Sequence, residues 1–141
     1  MFLDASAIVA VLLREEDASI YLKAMEGAKG RLRVSPIARL EAVLALVRDR
    51  IERRGKGPAE ADDFAEAADL VNDFLAMVEA REMHISSGMA DEAIRALAKY
   101  GKMAGHPAKL NMGDALAYAC AKAFHVPLLY KGNDFKETDI A

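Results

Sequence analysis

The chain has one cysteine, no tryptophan, three histidines and no long apolar run in its 141 residues. A single thiol, Cys120, excludes an internal disulfide and fits a reducing compartment. His84, His106 and His125 fall on separate segments and form no close ligand pair, which argues against zinc and leaves each as a packing or surface residue. No stretch reaches the roughly 18 apolar residues of a membrane span, and the N-terminus lacks the basic region and apolar segment of a secretory signal. The expected location is therefore cytoplasmic, with no membrane partner. A net charge of −3 gives no overall attraction to nucleic acid. That leaves a local basic surface or metal-mediated phosphate chemistry as the routes to such a ligand. Without a basic patch interleaved with aromatics, recognition by base stacking has little support.

What is present is a folded composition, 53% hydrophobic and 29% charged, of a length that suits one domain over residues 1–141. Residues 1–4 form a strand, 5–13 and 17–27 form helices, and Leu32-Arg33-Val34 is a second short strand. Ser35-Pro36 is a helix start, a hydroxyl cap followed by proline at the first helical position. Ile37, Leu40, Val43, Leu44, Val47 and Ile51 then recur at helical spacing, as do Phe64, Ala67, Ala68, Val71, Phe74, Leu75 and Val78. These two long helices, spanning about 37–79, predict a hairpin. A basic run, Arg48 to Lys56, and an acidic run, Glu60 to Asp69, suggest two oppositely charged surfaces side by side. Met83-His84-Ile85 is a candidate third strand, and a helix follows at Ala90–Ala98. Asn111 caps another helix running to Phe124, and Val126–Tyr130 is a buried strand. Short apolar strands separated by helices predict an α/β domain with a mainly parallel sheet, helices on both faces and strand ends gathered together.

Four acids fall near that edge. Asp4 ends the first strand, where ligands bind in open α/β sheets, although an aspartate also starts helices well. Glu41 follows Ser35-Pro36 by about a turn, with the small Ala38, Ala42 and Ala45 leaving room for its carboxylate, while Arg39 projects from another face. Asp114 lies in the first turn of an alanine-rich helix, where it suits the helix dipole and can also face a cleft. Asp134 leaves the last strand in Gly132-Asn133-Asp134-Phe135, and Asn133 could equally supply an oxygen there; spacing does not choose between them. Clustered carboxylates repel and carry raised pKa values unless a cation compensates. Hard oxygen donors suit Mg²⁺ or Mn²⁺, and phosphodiester hydrolysis is the natural use of such a set. Ser6 and Asn111 are supporting candidates that orient Asp4 and Asp114. Lys109, Lys131 and Arg14 are candidate phosphate contacts, and the 48–56 run is a possible additional backbone-binding surface.

Four blocks in order carry a resemblance: Phe2-Leu3-Asp4-Ala5-Ser6-Ala7-Ile8-Val9-Ala10, Ser35-Pro36-Ile37-Ala38-Arg39-Leu40-Glu41, Leu110-Asn111-Met112-Gly113-Asp114-Ala115-Leu116-Ala117-Tyr118-Ala119 and Pro127-Leu128-Leu129-Tyr130-Lys131-Gly132-Asn133-Asp134-Phe135. Together they resemble the VapC family of PIN-domain ribonuclease toxins. The resemblance implies a three-layer α/β/α sandwich around a parallel sheet of four or five strands. It also implies Mg²⁺-dependent cleavage of structured RNA (tRNA or rRNA), with Mn²⁺ able to substitute. The family's first three acids fall on Asp4, Glu41 and Asp114, and its fourth acidic position on Asn133, with Asp134 adjacent. Asp4 and Asp114 would anchor the metal while Glu41 handles the attacking water. Homodimerisation and inhibition by a VapB-type antitoxin, gripped by the helical hairpin, are further implications.

Competing readings are weaker or of a different class. A receiver domain needs an acidic pair after its first strand, and a phosphatase of the paired-aspartate type needs an acid where Ser6 stands. A non-catalytic interaction module would treat the acids as caps. A related nuclease acting on DNA would use the same phosphate chemistry.

Overall fold

A computed structural model describes residues 1–140. Four short strands, β1 (Phe2–Leu3), β2 (Arg33–Val34), β3 (Arg81–Glu82) and β4 (Leu128–Leu129), form one sheet in the order β3-β2-β1-β4, and every pair is parallel. Six α-helices connect them: α1 (Ala5–Leu12), α2 (Ala18–Gly27), α3 (Pro36–Arg53), α4 (Ala61–Met77), α5 (Ser87–Tyr100) and α6 (Met112–Ala123). Successive side chains on a strand face opposite ways, and β1 shows what this does. Leu3 enters the core shared with α1 to α4, whereas Phe2 enters the core formed with α5 and α6. Both are fully buried, and each contributes about 1.5–3 kcal/mol by leaving water. The result is the expected three-layer α/β/α arrangement, with a sheet of four strands.

The strand order matters for function. The chain steps from β1 to β2 to β3 on one side, then returns to place β4 on the other side of β1. This reversal leaves a crevice beyond the carboxyl ends of β1 and β4, the place where open α/β sheets bind ligands. Asp4 stands at that point: its N–H donates to the Leu129 carbonyl (3.0 Å), and the next residue starts α1.

The third strand lies two residues earlier than the apolar residues Met83 and Ile85 suggest. The ladder runs from Arg81 N–H to the Leu32 carbonyl (2.9 Å) and from Met83 N–H to the Val34 carbonyl (2.8 Å). This is an edge strand, so Arg81 and Glu82 remain exposed and no apolar alternation marks them. Helix α5 likewise begins before Ala90. Ser86 supplies the cap, accepting the Met89 N–H (3.2 Å), and extends the helix by three residues.

The oppositely charged runs between 48 and 69 pair with one another in part, while Arg48, Lys56, Asp62 and Asp69 stay exposed. Asp63 is buried and accepts Arg54 Nη1 (2.8 Å) and Nη2 (2.9 Å), Arg50 Nε (3.4 Å) and the Glu60 N–H (2.8 Å). The Arg54 guanidinium, foremost among these, holds the Asp63 carboxyl well below the usual range. Arg50 also pairs with Glu66, and Arg53 with Asp49 (2.7 Å). Arg50 and Arg54 are therefore committed to the α3–α4 hairpin, while Arg53 pairs within α3. Replacing Asp63 by Ala removes the shared acceptor and one half of the capping box. It is expected to lower Tm and to speed amide exchange over residues 50–66 without touching the β1–β4 crevice. Unchanged exchange in that segment would mean the network is not what ties the hairpin.

Candidate active site

Each acid reaches the crevice for a local reason. Asp4 is the N-cap of α1 as well as the end of β1, and both roles coexist. Its Oδ2 accepts the Ser6 N–H (3.1 Å) and the Ser6 hydroxyl (2.5 Å), and the Lys131 N–H donates to Ser6 Oγ (2.9 Å). The loop leaving β4 is thus tied through one hydroxyl to the carboxylate leaving β1. Glu41 is placed by the Ser35-Pro36 start, where Ser35 Oγ accepts the Ala38 N–H (3.0 Å). Ala38 and Ala42 are buried beside it, and Arg39 turns away to Glu82. Asp114 shares a capping box with Asn111: Asn111 Oδ1 accepts the Asp114 N–H (2.9 Å), and Asp114 Oδ2 accepts the Asn111 N–H (3.0 Å).

The electrostatics tie the acids together. Asp4, only 7% exposed, has its pKa raised by burial and further by the charge of Asp134, against the lowering effect of the Ser6 bonds. Glu41 is raised to about 7, first by burial and then by Asp4 and Asp114. Asp114 is raised to about 6 by burial, with Asp134 and Asp4 adding repulsion. In the loop leaving the last strand, the charge of Asp134 acts on both Asp4 and Asp114. Asn133 contributes its carbonyl to a turn, accepting the Lys136 N–H (3.1 Å). The buried Phe135, edge-on to Tyr130 with centroids 4.8 Å apart, anchors the segment that carries Asp134.

The carboxylates are electrostatic neighbours, not a closed cage. Among the described residues, no three His, Cys, Asp or Glu side chains form a group that could hold a metal ion as they stand. The donor set nevertheless fits a hard divalent cation: it is all oxygen, its carboxyls repel one another, and among the described residues no lysine or arginine forms an ion pair with Asp4, Glu41 or Asp114.

The three candidate phosphate contacts fare differently. The Lys131 ammonium is engaged by Glu15 and by Asp17 (2.8 Å), so its side chain is neutralised and its contribution to the crevice is the backbone N–H on Ser6. Arg14 is exposed beyond the C-terminal end of α1, the end opposite Asp4, and an eight-residue helix spans about 12 Å. Lys109 is exposed in a left-handed turn two residues before the Asn111 cap, on the approach to Asp114. Among the histidines, His106 accepts the Ala108 N–H through Nδ1 (3.1 Å) and packs edge-on against Tyr100.

One residue of the crevice is missed by pattern reading. Gly113, buried in the first turn of α6, lies against the Glu41 carboxylate, and a Cβ there would come within 2.6 Å of Glu41 Cδ. The only trace of this in the sequence is a glycine inside a helix, where alanine is better by about 1 kcal/mol.

Comparison with known proteins fits this geometry. The sequence profile of the PIN domain matches residues 1–141. The chain belongs to the PIN-domain family. Within it, the similarity is to VapC proteins. This PIN domain is 47% identical to a VapC ribonuclease of Rhizobium meliloti, covering 99% of this chain and 98% of the relative. It is 38% identical to ribonuclease VapC28 of Mycobacterium tuberculosis, covering 99% and 95%. Among solved structures it is similar to Mycobacterium tuberculosis VapC20, with a TM-score of 0.72 at 14% identity over 99% of this chain and 95% of that one. A toxin–antitoxin complex from Klebsiella pneumoniae gives a TM-score of 0.64 at 16% identity over 98% and 92%. The chain is therefore a VapC-type PIN domain, and these structural likenesses concern its fold. No helix among the described residues is long and apolar enough to cross a membrane.

Proposed function

We propose that this PIN domain is a divalent-metal-dependent endoribonuclease toxin that cleaves structured RNA and is restrained by a VapB-type antitoxin. The observation that carries the reading is the gathering of acids at the reversal point of the sheet, where the Asp134 charge acts on Asp4 and Asp114 and theirs act on Glu41. The 47% identity to a protein named a VapC ribonuclease supports RNA as the substrate class.

Asp4, Asp114 and Asp134 would hold Mg²⁺, or Mn²⁺ in its place. When bound, such an ion lowers the pKa of water and offsets charge on the scissile phosphate. Ser6, fixed by the Lys131 N–H, keeps the Asp4 carboxylate in one orientation. Glu41, half-buried beside the Asp4 and Asp114 charges, accepts the proton of the attacking water as general base. Lys109 is the cation placed to meet a substrate phosphate at the start of α6. Leu40, 51% exposed on α3, is an apolar side chain of the hairpin open to an antitoxin segment. Other exposed apolar side chains, among them Ile94 and Met103, suit the homodimer contact that the family implies.

Cleavage of tRNA, rRNA fragments and DNA is to be compared with Mg²⁺, with Mn²⁺ and with EDTA. Internal cleavage of RNA, lost with EDTA and restored by either ion, is the expected result. Cleavage of DNA at an equal rate would reassign the substrate. No cleavage of either polymer, together with no localised Mg²⁺-induced NMR shifts near Asp4 and Asp114, would favour an interaction module.

A further inference from the structure

Nothing in the backbone explains why residue 113 is glycine. Its φ is not positive, it occupies an ordinary helical position in the first turn of α6, and it neither opens a turn nor follows a helix end. The cost of a glycine there is incurred without conformational return. Space is the remaining reason. An ideal Cβ at residue 113 would stand 2.6 Å from Glu41 Cδ and 2.7 Å from Oε1, and closer still to Oε2. The three atoms nearest to such a Cβ all belong to that one carboxylate, whereas at Gly101 the nearest three belong to the Leu97 backbone. The end of a glutamate moves easily, so an added methyl would relocate the carboxylate rather than disturb the helix.

We infer that Gly113 is a positioning residue for Glu41: the absent side chain is the seat that lets the Glu41 carboxylate lie against the start of α6, beside Asp114 and within the field of Asp4. The inference rests on the nuclease reading for its effect on catalysis but not for the contact itself. It also separates stability from activity. Other residues that shape the crevice, such as Asp4 and Asn111, are helix caps as well. Gly113 takes no part in the cap, which Asn111 and Asp114 make between them.

The test is Gly113→Ala, made in the full chain and also in a Glu41→Ala background. RNA cleavage, Tm and a crystal structure are the readouts. Expected for the single variant are a Tm equal to or above the parent, a cleavage rate lower by about 30-fold or more (some 2 kcal/mol) and a displaced Glu41 carboxylate. In the Glu41→Ala background, Gly113→Ala should leave the residual rate unchanged, because the residue acts only through that carboxylate. Parental cleavage in Gly113→Ala would overturn the inference, as would a rate loss that persists at full size in the Glu41→Ala background. A sharply lowered Tm with Glu41 unmoved in the crystal would also overturn it, since helix packing would then be the role. If the parent protein itself cleaves no RNA, the nuclease reading fails, and the crystal structure of the variant still decides the seat.

Discussion

Asp4→Asn is expected to abolish metal-dependent cleavage while leaving the fold intact or slightly more stable. The two expectations come from separate features of the same side chain. As a cap, Asp4 needs only an acceptor oxygen for the Ser6 N–H and hydroxyl, and the asparagine carbonyl supplies one. As a charge, Asp4 is costly: it is buried, its pKa is raised by that burial, and Asp134 repels it. Neutralising it removes the cost in the metal-free protein and also removes an anionic donor from the cation site. Loss of several kcal/mol of transition-state stabilisation corresponds to a rate lower by about 10³-fold or more. Cleavage of a structured RNA in Mg²⁺ and a thermal melt in EDTA measure the two quantities side by side. Asp4→Ala serves as the contrast, because it also loses the cap, at about 1 kcal/mol. An Asp4→Asn variant that keeps a tenth of the parental rate would remove Asp4 from the centre of the site.

The same double role explains which parts of the molecule the sequence makes legible. Caps and periodicity are local, so Ser35-Pro36, the Asn111 cap and the helices on either side of them are readable within a few residues. The acids could be placed at one edge because parallel strands bring their carboxyl ends together, a consequence of topology that short strands alternating with helices already imply. Three kinds of feature were not accessible this way. Edge strand β3 carries Arg81 and Glu82 outward, so it has no apolar signature, and the search for one leads two residues too far. The apolar stripe of α3 points partly the wrong way. Leu40 is exposed while Ala38 and Ala42 are buried, because close helix packing selects small residues where pattern reading looks for large ones. Finally, pairings over long separations cannot be read from neighbours. Lys131 lies by the acids in sequence logic, yet its ammonium goes to Glu15 and Asp17, and its backbone N–H is what serves Ser6. That the Asp134 charge acts on Asp4 and Asp114 is likewise a fact of three-dimensional placement.

The repulsion among the acids has a second measurable consequence, in stability. Glu41 rises from an ordinary 4.5 to about 7, and Asp114 from 3.8 to about 6. A carboxyl whose folded pKa is raised prefers to stay protonated in the folded protein. Below about pH 4 both folded and unfolded chains are protonated and there is no penalty. Between about pH 4 and 7 the unfolded chain ionises first, so unfolding releases protons and stability falls as pH rises. Above about pH 7 the full penalty is present. Both groups are partly exposed and they share one mutual repulsion, so the combined effect is about 2 kcal/mol rather than the sum of two isolated shifts. Asp17, Asp63 and Asp139 are shifted the opposite way, but the stability they contribute is complete above about pH 5 and does not vary in this window. In EDTA, Tm should therefore be lower at pH 8 than at pH 5.5 by about 5 °C. Mg²⁺ should stabilise the protein more at pH 8, where the donors are ionised, than at pH 5.5, where it must displace protons. Glu41→Gln should flatten the metal-free profile from the high-pH side, since it deletes the larger of the two shifts. A metal-free Tm that is flat or rises between pH 5.5 and 8 would show that these carboxyls do not share a repulsive pocket, and the cation site built on them would fall with it.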